Sequence, residues 1–175
     1  MNGQRNVIYI SPEFEVQLWN RHHEHHKNYT FPNWLLDELK SVVKTNGKWM
    51  VIDGELLHAK DTTTKNIFYW WDLLVCNNEY LVGVPYEQRY QMLRERVEIN
   101  GSEGFVSKAT EHIWIADMIP PEHYDKAWEE TATSYVEGFV LKDIKSKLAP
   151  CINEKSNGVW QVRCRKPHSG GVYQF

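Results

Sequence analysis

The chain has 175 residues, 42% hydrophobic and 25% charged, which fits one ordinary globular domain with a real core and excludes a disordered chain. Its formal charge of −3 excludes a uniformly basic nucleic-acid binder, so any grip on a phosphate backbone must come from a local cluster of Lys and Arg. Three scattered cysteines (Cys76, Cys151, Cys164) give neither a disulfide framework nor a Cys-rich zinc site. No apolar run resembles a signal sequence or approaches a membrane span, so a reducing cytoplasm and no membrane partner are expected.

In chain order, the β-branched run Asn6-Val7-Ile8-Tyr9-Ile10 and the alternating Phe14-Glu15-Val16-Gln17-Leu18 predict a β-hairpin turning at Ser11-Pro12-Glu13. Pro32 to Lys44 predicts a helix with Leu35, Leu39, Val42 and Val43 on one face, ended by Asn46-Gly47. A strand follows from Trp49 to Leu57, then a polar turn, then a central strand from Ile67 to Val75. Tyr86, Tyr90, Leu93 and Val97 recur at helical spacing, as do Tyr124, Trp128 and Tyr135, with a strand at Ile113 to Ala116 between them. Strands at Glu137 to Lys142 and Val159 to Arg165 close the chain, joined by a polar loop from Cys151 to Gly158. The elements lack regular βαβ alternation, so an α+β architecture of antiparallel sheets flanked by helices is expected.

Eight Trp and nine Tyr are many for this length. Most serve a core and its edges, and strand parity divides one group of them. In Phe68-Tyr69-Trp70-Trp71, Trp70 is expected in the core and Trp71 on the opposite, accessible face. The run Arg21-His22-His23-Glu24-His25-His26 places His22 and His26 four apart, but it offers no third ligand and is read as a solvated loop without zinc.

Four segments carry chemistry together: Val51-Ile52-Asp53-Gly54-Glu55-Leu56, Phe68-Tyr69-Trp70-Trp71-Asp72-Leu73-Leu74, Glu137-Gly138-Phe139-Val140-Leu141-Lys142 and Val159-Trp160-Gln161-Val162-Arg163-Cys164-Arg165-Lys166. Each alone is common. In this order they resemble motifs III, IIIa, IV and V of the covalent nucleotidyltransferases, the superfamily of DNA ligases, RNA ligases and mRNA-capping guanylyltransferases. Leu18-Trp19-Asn20-Arg21 is similar to motif Ia. Against the family's first motif, K-x-D-G, Met1 is the x, Asn2 stands where Asp is usual, Gly3 matches and Arg5 is the trailing basic residue. The lysine nucleophile then belongs immediately before Met1. The resemblance accordingly implies one adenylation domain over residues 1–175, truncated at its N-terminus or begun at an internal methionine, with no OB-fold domain.

The resemblance also implies a reaction and its residues. A lysine amine attacks the α-phosphate of ATP, AMP passes to a 5′-phosphate end, and a 3′-hydroxyl displaces it. Such phosphoryl transfer asks the protein for positioning and charge neutralisation. By resemblance, Lys142, Arg163 and Arg165 are catalytic, while Arg5, Arg21, Glu55, Trp71, Glu137 and Lys142 bind the nucleotide, with Trp71 stacking on adenine. Glu55 and Glu137 are expected to hold Mg²⁺, for which hard oxygen donors are suited, or the ribose hydroxyls. Motif V usually carries lysines where this chain has Arg163-Cys164-Arg165; parity puts these two arginines on one face and excludes Lys166. Glu137 and Lys142 are five apart, so bringing them together requires a bulge at Gly138 or Glu137 on the entering loop.

The implied function is an ATP-dependent polynucleotide ligase core, a monomer acting on nicked or broken nucleic acid. DNA is favoured over RNA because Trp71-Asp72-Leu73-Leu74, followed by Arg89 and Leu93, resembles the DNA-ligase pattern. As given, the chain is not expected to adenylylate itself. The alternatives are a GTP-using capping guanylyltransferase core and a non-catalytic nucleotide- or nucleic-acid-binding remnant.

Overall fold

Strand β1 (Gln4–Ile10) buries Asn6, Ile8 and Ile10 on one side and leaves Arg5, Val7 and Tyr9 on the other, the period-two division expected of a half-covered strand. The computed structural model describes residues 3–26, 29–58, 65–130, 138–149 and 160–165. β1 pairs antiparallel with β2 (Val16–Trp19), Ile10 opposite Val16 and Val7 opposite Trp19. The predicted turn between them is held by the Ser11 hydroxyl, which accepts from the backbone N–H groups of Glu13 and Glu15.

Helix α1 (Asn33–Val42) buries Leu35, Leu39 and Val42. It stops before the expected Asn46-Gly47 because Val43 turns extended and forms a β-bridge with Val97, which keeps both side chains buried. The central strands are β3 (Met50–Leu57) and β4 (Ile67–Cys76), followed by a short β5 (Glu79–Tyr80) and helix α2 (Tyr86–Arg96). Next come β6 (Gly101–Glu103), β7 (Val106–Lys108) and β8 (Ile113–Ala116). A 3₁₀ turn (Pro121–His123) leads into α3 (Tyr124–Glu130), and β9 (Gly138–Lys142) and β10 (Gln161–Arg165) pair as a separate ribbon. The polar loop expected between Cys151 and Gly158, and the predicted helical turn from 131 to Tyr135, lie outside the described residues.

The large sheet runs β2-β1-β3-β4-β8-β7-β6, with β5 also against β4. The α+β class holds with one correction: β4 and β8 run parallel, because the chain between them crosses over through α2. β5, β6 and β7 were not foreseen. They are two or three residues long, and β5 and β6 are wholly exposed, so they carry no apolar period to read. Ile8, Ile52, Phe68, Trp70 and Leu73 from one sheet face meet Leu35, Leu39 and Leu93 from the helices to form the core. Among the described residues no helix is long and apolar enough to cross a membrane.

Two attachments position the opposite face. Arg89 of α2 is fully buried and holds Asp72 of β4 bidentately, Nε to Oδ1 and Nη2 to Oδ2, both at 2.8 Å. Its third nitrogen donates to the Val84 carbonyl at 2.6 Å. The first turn of α2 has N–H groups without intrahelical acceptors, and those of Tyr86 and Glu87 donate to Ser146 O (2.9 Å) and Ile144 O (3.0 Å). The segment following β9 is thereby tied to the helix that is itself tied to β4. Replacing Arg89 with Met would strand the Asp72 carboxylate in the interior, so we expect a loss of about 3–5 kcal/mol in unfolding free energy by guanidinium denaturation. A loss below about 1 kcal/mol, the range of exposed pairs, would show that the pair does not anchor the helix.

Candidate functional site: a groove between sheet and ribbon

The site begins with a glycine. A Cβ on Gly54 would lie 2.4 Å from the Tyr69 carbonyl and 2.8 Å from Trp70 Cδ1, so only glycine lets β3 and β4 approach this closely here. The ladder shifts register between Asp53 and Gly54: Gly54 pairs with Trp70 and Asp53 with Asp72, which leaves Trp71 as the extra residue of a bulge. Trp70 keeps its place in the core at 1% exposure, whereas Trp71 stays partly accessible on the other face, as parity predicted. The Trp71 indole N–H donates to Asp53 Oδ2 at 3.2 Å, and its ring meets Tyr69 edge-on at 6.3 Å.

Each buried carboxylate on this floor has its own arginine. Asp53 accepts from Arg5 Nε at 3.0 Å and Nη2 at 2.6 Å, and Asp72 is held by Arg89. The two pairs differ in exposure. Arg89 is sealed, but the Arg5 side chain is 52% exposed over a 6% exposed Asp53, so its guanidinium stays open to solvent while it holds the buried carboxylate. Glu55 stands opposite Arg5 in the β1–β3 ladder, and its Oε1 accepts the Gly3 N–H at 2.5 Å.

The ribbon supplies the facing cations. Register pairs Lys142 with Gln161, Val140 with Arg163 and Gly138 with Arg165, so Lys142, Arg163 and Arg165 share one face of β9–β10. The ribbon needs Gly138: its φ is 139°, and a Cβ there would sit 2.0 Å from Cys164 O. Gly138 pairs with Arg165 in unbroken register, and Glu137, which the expected bulge or entering loop was to bring beside Lys142, lies outside the described residues. Lys142 Nζ sits 4.0 Å from the Tyr86 ring centroid and 5.7 Å from that of Trp160. Burial pushes this amine down to about 8, against Asp72 and Asp53, whose charges favour the ammonium, and with Arg89 and Arg5, whose charges oppose it. All four groups therefore act on one nitrogen.

The structure brings together Arg5, Asp53, Trp71, Asp72 and Lys142, with Glu55 alongside; Arg163 and Arg165 extend the cationic face, both exposed. Arg21 stands apart. It lies in an exposed turn beyond β2, its Nε 3.1 Å from His22 Nε2, with no described contact to the groove. The neighbouring His residues form no group of three or more metal-ligating side chains among the described residues. Sequence reasoning had placed Tyr86 only as an apolar helix position and passed over Trp160. A signal for the buried Arg89–Asp72 pair was present: Arg89 interrupts the apolar stripe Tyr86, Tyr90, Leu93, and a cation there demands a buried anion.

Comparison with known proteins bears on this geometry. The fold matches the ligase domain of LigD from M. tuberculosis with a TM-score of 0.56 at 17% identity, covering 83% of this chain and 46% of that one. It matches equally a structure of mycobacterial DNA ligase D complexed with ATP and MES, with a TM-score of 0.56, 17% identity and coverage of 83% and 47%. The likeness is one of fold, and this chain spans about half the length of either structure. No curated protein sequence matches the chain. The family model for the ATP dependent DNA ligase domain matches residues 57–161, more than half of the sequence, a span that includes β4 and β9. The chain belongs to the ATP-dependent DNA ligase domain family.

Proposed function

We propose that the groove between the sheet and the β9–β10 ribbon binds the adenylate of ATP and serves the sealing of 5′-phosphate and 3′-hydroxyl ends through an adenylylated intermediate, in DNA rather than RNA. The observation that carries this reading is the convergence of Arg5, Trp71 and Lys142 around Asp53, from three strands far apart in sequence. Trp71 offers an indole face on which adenine can stack, a contact worth about 1–3 kcal/mol per base. Lys142, Arg163 and Arg165 face the phosphates. Arg5 adds a guanidinium edge whose inner side is already fixed by Asp53. The family match and the ATP bound in the related ligase D structure support the choice of nucleotide.

Magnesium fits the donors in kind. Glu55, with Glu137 by resemblance, offers hard carboxylate oxygens on the side of the groove where the phosphates would lie. Mg²⁺ is held by one or two carboxylates together with substrate phosphates. When bound, the ion would neutralise phosphate charge.

The sealing step uses a 3′-hydroxyl, not a lysine, as nucleophile: the 3′-oxygen attacks the 5′-phosphate, its proton leaves to solvent, and AMP departs. The 175-residue polypeptide is therefore expected to seal a pre-adenylylated nick while forming no covalent AMP adduct of its own. Preceded by a lysine before Met1, it is expected to form that adduct from labelled ATP and not from GTP. Lys142→Ala should slow sealing of the pre-adenylylated DNA nick at least about a hundredfold, the scale of losing one preorganised charge from a phosphoryl-transfer site. Unchanged sealing in that variant, or an adduct formed from GTP, would overturn the assignment.

Lys142 also sets a pH dependence. Its amine is held down to about 8, so the ammonium predominates below that pH and is lost as pH rises through it. A polyphosphate favours the charged form. Binding ATP at pH 8 should then take up protons, and the affinity should fall between pH 8 and 10. Calorimetric titration in buffers of different ionisation enthalpy measures the uptake directly; Lys142→Arg, which stays charged, should abolish it. Equal uptake in both proteins would show that another group titrates.

A further inference from the structure

We propose that Tyr86 is the positioning residue of this groove, holding the Lys142 ammonium with its ring and the Trp71 platform with its hydroxyl. The inference rests on the adenylate reading and deepens it, since neither family motif nor sequence spacing assigns this tyrosine more than a place on a helix face.

Tyr86 opens α2 and is 5% exposed. Its ring lies 4.0 Å from Lys142 Nζ, the nearer of the two rings around that ammonium. Its hydroxyl donates to the Trp71 carbonyl at 3.0 Å, at the bulge residue whose backbone has no place in the regular ladder. Its own N–H donates to Ser146 O, which fastens the chain leaving β9 only four residues after Lys142. One residue thus touches both elements proposed to grip the nucleotide, which belong to different sheets and otherwise share no described hydrogen bond. Burial and the nearby Asp72 charge raise the Tyr86 pKa, so the hydroxyl remains a neutral donor throughout the working range. An ammonium loses water when buried, and an aromatic face returns part of that stabilisation without forming a salt bridge that would compete with phosphate. Lys142 is in this way kept near the groove and left available to an anion.

A double-mutant cycle on ATP affinity separates the two contacts. Tyr86→Phe keeps the ring and loses the hydroxyl, and should weaken ATP binding about threefold whether Lys142 is present or replaced by Ala. Tyr86→Leu loses both. It should weaken binding by about thirtyfold in the wild-type background but only about threefold in Lys142→Ala, because the ring acts through the lysine. Equal losses in both backgrounds would overturn the positioning role and leave the adenylate reading standing. Failure of the unmodified protein to bind ATP would overturn both. Should Tyr86→Leu fail to fold, the unmodified protein still decides. The Lys142 side-chain methylene protons, under the ring current of Tyr86, should resonate upfield of the other lysines in an NMR spectrum, and unshifted resonances would contradict the contact.

Discussion

The buried pair of Asp72 and Arg89 constrains everything that faces the groove. Two ionised side chains removed from water are tolerable only when each satisfies the other fully, and here the fork of the guanidinium meets both carboxylate oxygens while its remaining nitrogen finds a carbonyl. This geometry admits one placement of α2 against β4. Once the helix is placed, its first turn presents N–H groups to the segment after β9, and the ribbon follows. The same aspartate ends the bulge that sets Trp71 outside the regular ladder. A single polar contact in the interior thereby connects the core to the arrangement of the site.

The charges of the site have a consistent logic. A groove meant for a polyphosphate should not show it bare carboxylates, yet two aspartates face each other across its floor. Each is neutralised by its own arginine, Asp53 with an exposed one and Asp72 with a sealed one. Above them stands an amine held by burial close to the pH at which it can gain or lose a proton. Floor and roof are thus suited to a ligand that brings negative charge, and the arrangement costs least when that ligand is present.

Much of this was legible in the residues themselves. The β-branched run Asn6-Val7-Ile8-Tyr9-Ile10 marks a strand by residue type, and the helical spacing of Leu35, Leu39 and Val42 and the placing of Trp70 inside and Trp71 outside follow from side-chain period. The common face of Lys142, Arg163 and Arg165 needed the pairing register as well, since two of these residues lie on one strand and the third on its neighbour. What period could not supply was contact across elements. Tyr86 reads as an apolar helix position because its hydroxyl partner is a backbone carbonyl fifteen residues earlier, and a backbone acceptor leaves no trace in side-chain identity. β5, β6 and β7 escaped for the opposite reason: strands of two or three residues carry too few side chains to show a period.

The central claim is that the Trp71 indole and the Lys142 amine bound one adenylate-sized groove. An ATP titration followed by the side-chain N–H and lysine resonances of the protein tests it most directly. Trp71 and Lys142 are expected to respond together with a single dissociation constant, while the exposed indoles of Trp34 on α1 and Trp49 before β3 stay in place. Responses of Trp71 and Lys142 at different ATP concentrations, or a response of the outlying indoles alone, would contradict it.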